Sequence, residues 1–464
     1  MGRAERSWWP VLATVVLGVL AAATAWVRLG PEARGTVWAE DGGLFLRERL
    51  ALGPVGSLFH PYAGYLHLVP RLVVDLALLF PVPWYALVVS ATCCLLTGAV
   101  CAGVFVLARD VVPSRPLRLL LAAVPVLLPT APWEVSGNVA NLHTFGLVLA
   151  PWLYAYRVRS WWGAGVLAGV AVLVGATEAQ AVLFLPLLVL AWLPVRRDAG
   201  SARLLPLPVT VAALAAGVAQ VVTALTTPRA SAPGDPTATD VVAGWLLQTV
   251  GGLWDADVGS VAGAVVDAGW AVVAVPAVLL ALVVVLGAAV AVRTGRWRAA
   301  VLAVVLAGGA AVVWTAALVA NASADGRWSQ ADPAALLAAT PSRYAAAAGM
   351  LLTGAVVVAA AVLVDRAPGA AATGRRSATV VRASRPGGPT AVVRSALGWC
   401  VVALVVTSWV GNLSTDTQRS DGPAWAPQFA GADATCRADP SAVLDVRTRP
   451  WGAEVPCSLV LGDR

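Results

Sequence analysis

The sequence contains no lysine; all 32 of its basic residues are arginine. Charge of either sign is scarce, at 12% of residues, where an ordinary soluble domain carries roughly 25%. Methionine occurs twice and histidine three times in 464 residues. Half the usual charge at this length excludes a soluble enzyme, a disordered chain and a secreted disulfide scaffold. The six cysteines include no CxxC pair, which argues against thiol-redox chemistry or a zinc site. The sequence is rich instead in apolar residues, 59% of the total, with a mean hydropathy of +0.78.

Apolar runs that could cross a hydrocarbon core of ~30 Å fall at 10–27, 84–108, 117–131, 143–156, 163–177, 179–194, 204–225, 269–292, 299–320, 344–364 and 395–411. Proline and glycine within some of them are compatible with membrane helices. The expected fold is an all-α integral membrane protein of about eleven transmembrane helices. Arg3 and Arg6 place the N-terminus in the cytoplasm of a cell (plasma) membrane protein, and an odd number of crossings then places the C-terminus outside.

The loops test this arrangement. Those assigned to the cytoplasm hold Arg109, Arg115, Arg118, Arg157, Arg159, Arg196, Arg197, Arg203, Arg293, Arg296, Arg298, Arg366, Arg375, Arg376, Arg382, Arg385 and Arg394. With Arg3 and Arg6 that makes nineteen arginines against four acids, Glu5, Asp110, Asp198 and Asp365. The outer side keeps thirteen arginines and twenty-one acids. This is the positive-inside bias of a polytopic chain. The net charge of +7 therefore reflects topology and anionic lipid, and gives no reason to expect a nucleic-acid partner.

Residues 1–411 are expected to form the polytopic unit, with a first outer loop at 28–83 and a basic cytoplasmic loop at 365–394 that composition marks as disordered. Residues 412–464 form an extracytoplasmic tail. The apolar stretch 66–82 contains Arg71 and Asp75, and counting it as a crossing would invert every later loop. It is expected to be an interfacial or re-entrant helix, with His67, Arg71 and Asp75 on one face at four-residue spacing. The first span lacks a clear small-residue cleavage site, and no internal repeat of fixed period supports an inverted-repeat transporter. Cys93, Cys94, Cys101 and Cys400 fall in spans and are expected to be small core residues. Cys436 and Cys457 in the outer tail are expected to pair as a disulfide.

The polar residues of interest lie on the outer side. Glu40 and Asp41 are adjacent between Trp38 and Gly42-Gly43; such a pair can supply a general base or a metal ligand, or form a solvated turn that caps the next helix. His60, His67 and His143 are all outside, and histidine transfers protons near neutral pH. Metal binding by His60 and His67 is the weaker reading, because seven-residue spacing is no ligand signature. A second loop, TAPWEVSGNVANLHTF, brings Glu134, Asn138, Asn141 and His143 to the mouth of a span, either as caps and a turn or as a binding surface. Glu178 interrupts a long apolar run. It lies at the surface if the run is a tight hairpin, and is intramembrane and functional if the run is one helix. Arg343 and Tyr344 begin a span, where arginine opposes the helix dipole and so implies an anionic partner.

Together these pieces resemble the GT-C superfamily of polytopic glycosyltransferases, which use polyprenyl-phosphate-linked sugars on the outer face. The matching segments are WAEDGGLF at 38–45, HPYAGYLHLVPRL at 60–72, SGNVANLHTF at 136–145 and SRY at 342–344. The resemblance implies Asp41 as the general base with Glu40 assisting, Arg343 on the lipid phosphate, and Asn141 and His143 positioning sugar. It also implies a binding surface including His60, His67, Arg71, Asn138, Glu178 and Tyr344. The partners would be a polyprenyl-phosphate-linked sugar donor, an envelope glycan, glycolipid or protein acceptor, and the lipid bilayer. Two departures bear on this. The second motif carries Asn and His rather than a clear Asp, and a tail of about fifty residues stands where some members have a large soluble domain. They leave use of a divalent metal and the substrate class open. The alternatives are a transporter or polymerase of lipid-linked envelope glycans and a non-enzymatic membrane scaffold.

Overall fold

The computed structural model describes residues 9–193, 203–229, 231–365 and 389–462. Among them, seven helices are long and apolar enough to cross a membrane: Pro10–Leu29, Val82–Asp110, Leu207–Thr226, Ala271–Arg293, Trp297–Ala320, Arg343–Val364 and Thr390–Gly411. The other four expected spans correspond to shorter apolar helices, Arg115–Leu127, Leu142–Ala155, Trp161–Gly175 and Ala179–Trp192. Proline explains two of the shortenings. Pro129 follows Leu128, whose extended backbone ends the first of them, as the residue before a proline is steered away from helix. Pro186 sits inside the last of the four, whose Ala179–Leu187 portion is wound as a 3₁₀ helix. At ~2.0 Å rise per residue rather than ~1.5 Å, that winding covers more depth with fewer residues.

Arg343–Val364 is the central helix, with 94% of its apolar window buried. It packs against Trp297–Ala320, Ala271–Arg293 and the last long helix. Its Ala, Gly and Val side chains let neighbouring backbones approach closely. A Cβ placed on Gly287 would lie 2.6 Å from Ala359 Cβ. The outermost helices have the opposite character. Val275, Val278, Leu279, Leu282 and Val285 are exposed along one of them, an apolar surface suited to hydrocarbon rather than water.

Polar contacts collect at the two ends of the bundle. At one end Arg159 pairs with Asp110 at 2.5 Å, Arg296 with Asp365 at 3.3 Å, and Arg298 donates to the Ala155 carbonyl. Arg3, Arg6, Arg196, Arg197 and 366–388, which carry much of the expected basic loop, lie outside the described residues. The opposite end gathers the connecting segments 30–81, 128–141, 176–178, 227–270 and 321–342 together with the tail.

Within 66–82 the helix is only Leu68–Ala77, ~15 Å long and half the depth of a hydrocarbon core. It lies on the helix Arg47–Leu58 through Arg71 with Glu48 at 2.7 Å, and Asp75 with Arg49. Its first turn is tied to the hairpin at 176–177, since Leu68 N–H donates to the Ala176 carbonyl and Val69 N–H to Thr177 Oγ1.

The tail holds an antiparallel hairpin, β1 (Val443–Arg447) and β2 (Gly452–Pro456), with Val443 opposite Pro456. Cys436 and Cys457 form a disulfide. Trp425 is fully buried and its Nε1 donates to the Val82 carbonyl at 2.8 Å. Buried Arg419 donates to the carbonyls of Thr36 and Ser136. Residue 411 therefore ends a helix without ending a packing unit.

Candidate ligand cavity and its polar lining

A cavity of about 260 Å³ opens at the tail-bearing end of the bundle. Seven of the residues singled out from sequence line it: Glu40, His67, Asn141, His143, Glu178, Arg343 and Tyr344. They arrive from five segments that are far apart in the chain. The central helix delivers Arg343 and Tyr344 from its first turn, where Ser342 Oγ caps by accepting the Tyr344 N–H.

Arg343 is held by two carboxylates. Its Nη1 lies 3.4 Å from Glu40 Oε1 and 3.3 Å from Glu134 Oε1. Its planar fork reaches both, and its Nη2 is 3.4 Å from the Tyr344 hydroxyl. Burial pushes the Glu134 carboxyl up while Arg343 pulls it back down. The second oxygen of Glu40, Oε2, is buried without a hydrogen-bond partner. Asn141 is similar. Its Nδ2 donates to the Glu134 carbonyl and to Asn138 Oδ1, but its own Oδ1 is buried and unpartnered. Two residues that line one cavity thus each hold a buried acceptor without a partner.

The Glu178 question resolves in a way neither alternative foresaw. The run 163–192 does fold as a hairpin, with a helix ending at Gly175, yet Glu178 is buried rather than at the surface. Its Oε1 accepts the Gln180 N–H at 2.7 Å, and its Oε2 lies 2.5 Å from His143 Nδ1. His67 is buried too, with its ring 4.0 Å from that of Tyr65 and 6.5 Å from that of His143. Burial, then the neighbouring His143, keeps His67 well below the ordinary histidine range and hence neutral.

Four of the residues that the resemblance implied at the site stand off the cavity. Asp41 is completely buried. Its two oxygens accept the backbone N–H groups of Val139 and Ala140 at 3.1 and 3.0 Å. Burial pushes its carboxyl up to about 7 against the pull of Arg419. Asn138 is spent on the turn, donating to the Glu134 carbonyl and accepting from the Asn141 N–H. His60 and Arg71 both turn to Glu48, at 3.7 and 2.7 Å. Among the described residues no group of three or more His, Cys, Asp or Glu side chains is gathered to hold a metal ion.

Among the lining residues that escaped the sequence reading are Tyr62, Tyr65 and Arg229. Tyr62 and Tyr65 pair backbone to backbone across Ala63 and Gly64, whose φ angles of 51° and 85° mark the left-handed two-residue turn that glycine favours. An alanine–glycine pair between two tyrosines was the available signal. Arg229 enters from the 226–268 connection and lies across that turn; a Cβ on Gly64 would meet Arg229 Cγ at 2.8 Å. Among the described residues its guanidinium bonds to Ser231 Oγ and Asn321 Oδ1, and nothing in the sequence distinguished it from other loop arginines. No family model, curated protein or solved structure matches this chain.

Proposed function

We propose that the chain is a polytopic glycosyltransferase of the GT-C type. It takes a sugar from a polyprenyl-phosphate donor and transfers it to an envelope glycan, glycolipid or protein on the outer face of the cell membrane. On this reading the seven long helices and four shorter ones, Arg115–Leu127, Leu142–Ala155, Trp161–Gly175 and Ala179–Trp192, make eleven crossings, N-terminus cytoplasmic, with the cavity on the outer side. The alternation of helix ends between an arginine-lined end and the cavity end supports this count.

The observation that carries the reading is that two residues lining one small cavity, Glu40 and Asn141, each keep a buried acceptor, Oε2 and Oδ1, without a partner. An unsatisfied buried polar group costs about 1–3 kcal/mol, which a ligand rich in donors recovers. Sugar hydroxyls are such donors, and Tyr62 and Tyr65 line the same cavity. The volume, just under the ~300 Å³ where small-molecule pockets begin, suits a single sugar rather than a long glycan.

Roles follow from position. Glu40 accepts from the sugar and places negative charge where the ring becomes oxocarbenium-like. Arg343 fixes Glu40 and Glu134. Arg229, which has no carboxylate partner in its bonding set, is the guanidinium left to meet the donor phosphate. Asp41, to which the resemblance gives the base role, acts here through the backbone it holds.

The test is to delete the gene and compare envelope glycans and glycolipids with the parent strain. Loss of one sugar linkage, restored by the wild-type gene and not by Glu40→Gln, supports the reading. Unchanged glycans, or full restoration by Glu40→Gln, would count against it.

A further inference from the structure

We infer that His143, oriented by Glu178, is the proton acceptor for the incoming hydroxyl; this rests on the transfer reading above. An ionised carboxylate only accepts hydrogen bonds. The 2.5 Å contact between Glu178 Oε2 and His143 Nδ1 therefore places the imidazole hydrogen on Nδ1 and leaves the lone pair on Nε2. Among the described residues Nε2 makes no hydrogen bond, and the ring borders the cavity with its side chain 21% exposed. Glu178 is itself fixed, because its other oxygen caps the 3₁₀ helix through the Gln180 N–H. A base whose tautomer is set by a buried carboxylate is the arrangement that activates hydroxyl nucleophiles.

The neighbouring acids have other duties. Glu40 is paired through one oxygen with Arg343 and keeps the other for the sugar, and Asp41, off the cavity, accepts from the 139–140 backbone. His67 is 1% exposed and offers Nδ1 to the Tyr65 carbonyl. In the step itself the acceptor oxygen forms its bond to the sugar C1 while the bond from C1 to the phosphate oxygen breaks. The bonding pair leaves with the phosphate, and the acceptor's hydroxyl proton passes to His143 Nε2. Glu178 then faces an imidazolium, which its charge stabilises.

The experiment uses the full chain in lipid nanodiscs, radiolabelled polyprenyl-phosphate hexoses and pentoses as donors, and membrane extract as acceptor. His143→Ala should lower transfer about 100-fold or more, and added imidazole should restore part of the rate, a rescue that a packing defect would not show. Glu178→Gln, whose amide fixes neither tautomer, should lower the rate less. Because the chain has three histidines, ¹⁵N-histidine spectra resolve the expected Nδ1–H form of His143 and its loss in Glu178→Gln. If His143→Ala fails to fold, His143→Gln takes its place, with folding checked by thermal unfolding. Transfer at the wild-type rate by a folded His143 variant, or loss without imidazole rescue, overturns the base role. A wild-type protein that transfers none of these sugars overturns the glycosyltransferase reading, and the base role with it.

Discussion

The Asp41 carboxylate accepts the Ala140 backbone amide at 3.0 Å, fastening the connection after the first long helix to the residue just before Asn141. Its neighbour Glu40 faces the cavity, so two consecutive acids have opposite duties. Asp41→Ala would leave the buried amides of Val139 and Ala140 without their acceptor. The expected loss is about 1–3 kcal/mol, the cost of stranding buried polar groups. Thermal unfolding in detergent measures it, and any fall in activity should follow the folded fraction.

A pH dependence follows from the same residue. Burial, offset in part by Arg419 and the two amides, raises the Asp41 carboxyl from 3.8 to about 7 in the folded chain. Between those values the folded state holds a proton that the unfolded state has released. Stability from this group is therefore fully present below about pH 4 and is lost as pH rises through about 7. Asp41→Asn removes the titration. The difference in unfolding midpoint between wild type and this variant should shift in the wild type's disfavour from pH 5 to pH 8; a constant difference contradicts the raised carboxyl.

These two acids also mark where sequence reasoning stops. Hydropathy and charge located the apolar helices and the polar end, because both depend on composition averaged over many residues. The adjacency of Glu40 and Asp41 was visible, but which of them faces the cavity depends on the turn at Asp41–Leu46, wound as a π-helix. Glu178 and His143 are 35 positions apart, and only the packing of two helix ends brings them together. The tail looked like an appendage because burial of Trp425 depends on carbonyls at distant positions such as Val82.

The 62–65 turn gives a third prediction. Gly64 has φ 85°, where a side chain is strained by about 1–3 kcal/mol, and a Cβ there would press on Arg229 Cγ. Gly64→Val should lower the unfolding midpoint and displace both tyrosines and Arg229 from the cavity. In the transfer assay it should raise KM for the donor more than it lowers kcat. A change confined to kcat would contradict a role for this turn in donor binding.

The last prediction concerns the tail, which contributes no residue to the cavity lining. Trp425 is fully buried against Tyr85 and Phe429, with ring centroids 5.6 and 5.3 Å away. Removing so large a buried ring costs about 3–5 kcal/mol, so Trp425→Ala should strongly lower the unfolding midpoint. Trp451, 49% exposed, is the matched control, and Trp451→Ala should cost much less. The consequence for the site follows from the anchors. Trp425 and Arg419 together hold Val82, Thr36 and Ser136, which flank Glu40 and the 138–141 turn. Loosening them frees both orphan acceptors to move away from the cavity. Transfer by Trp425→Ala should therefore fall even at temperatures where the protein remains folded, although no cavity residue has changed; a folded variant with full activity would show that the tail stabilises the chain without shaping the site.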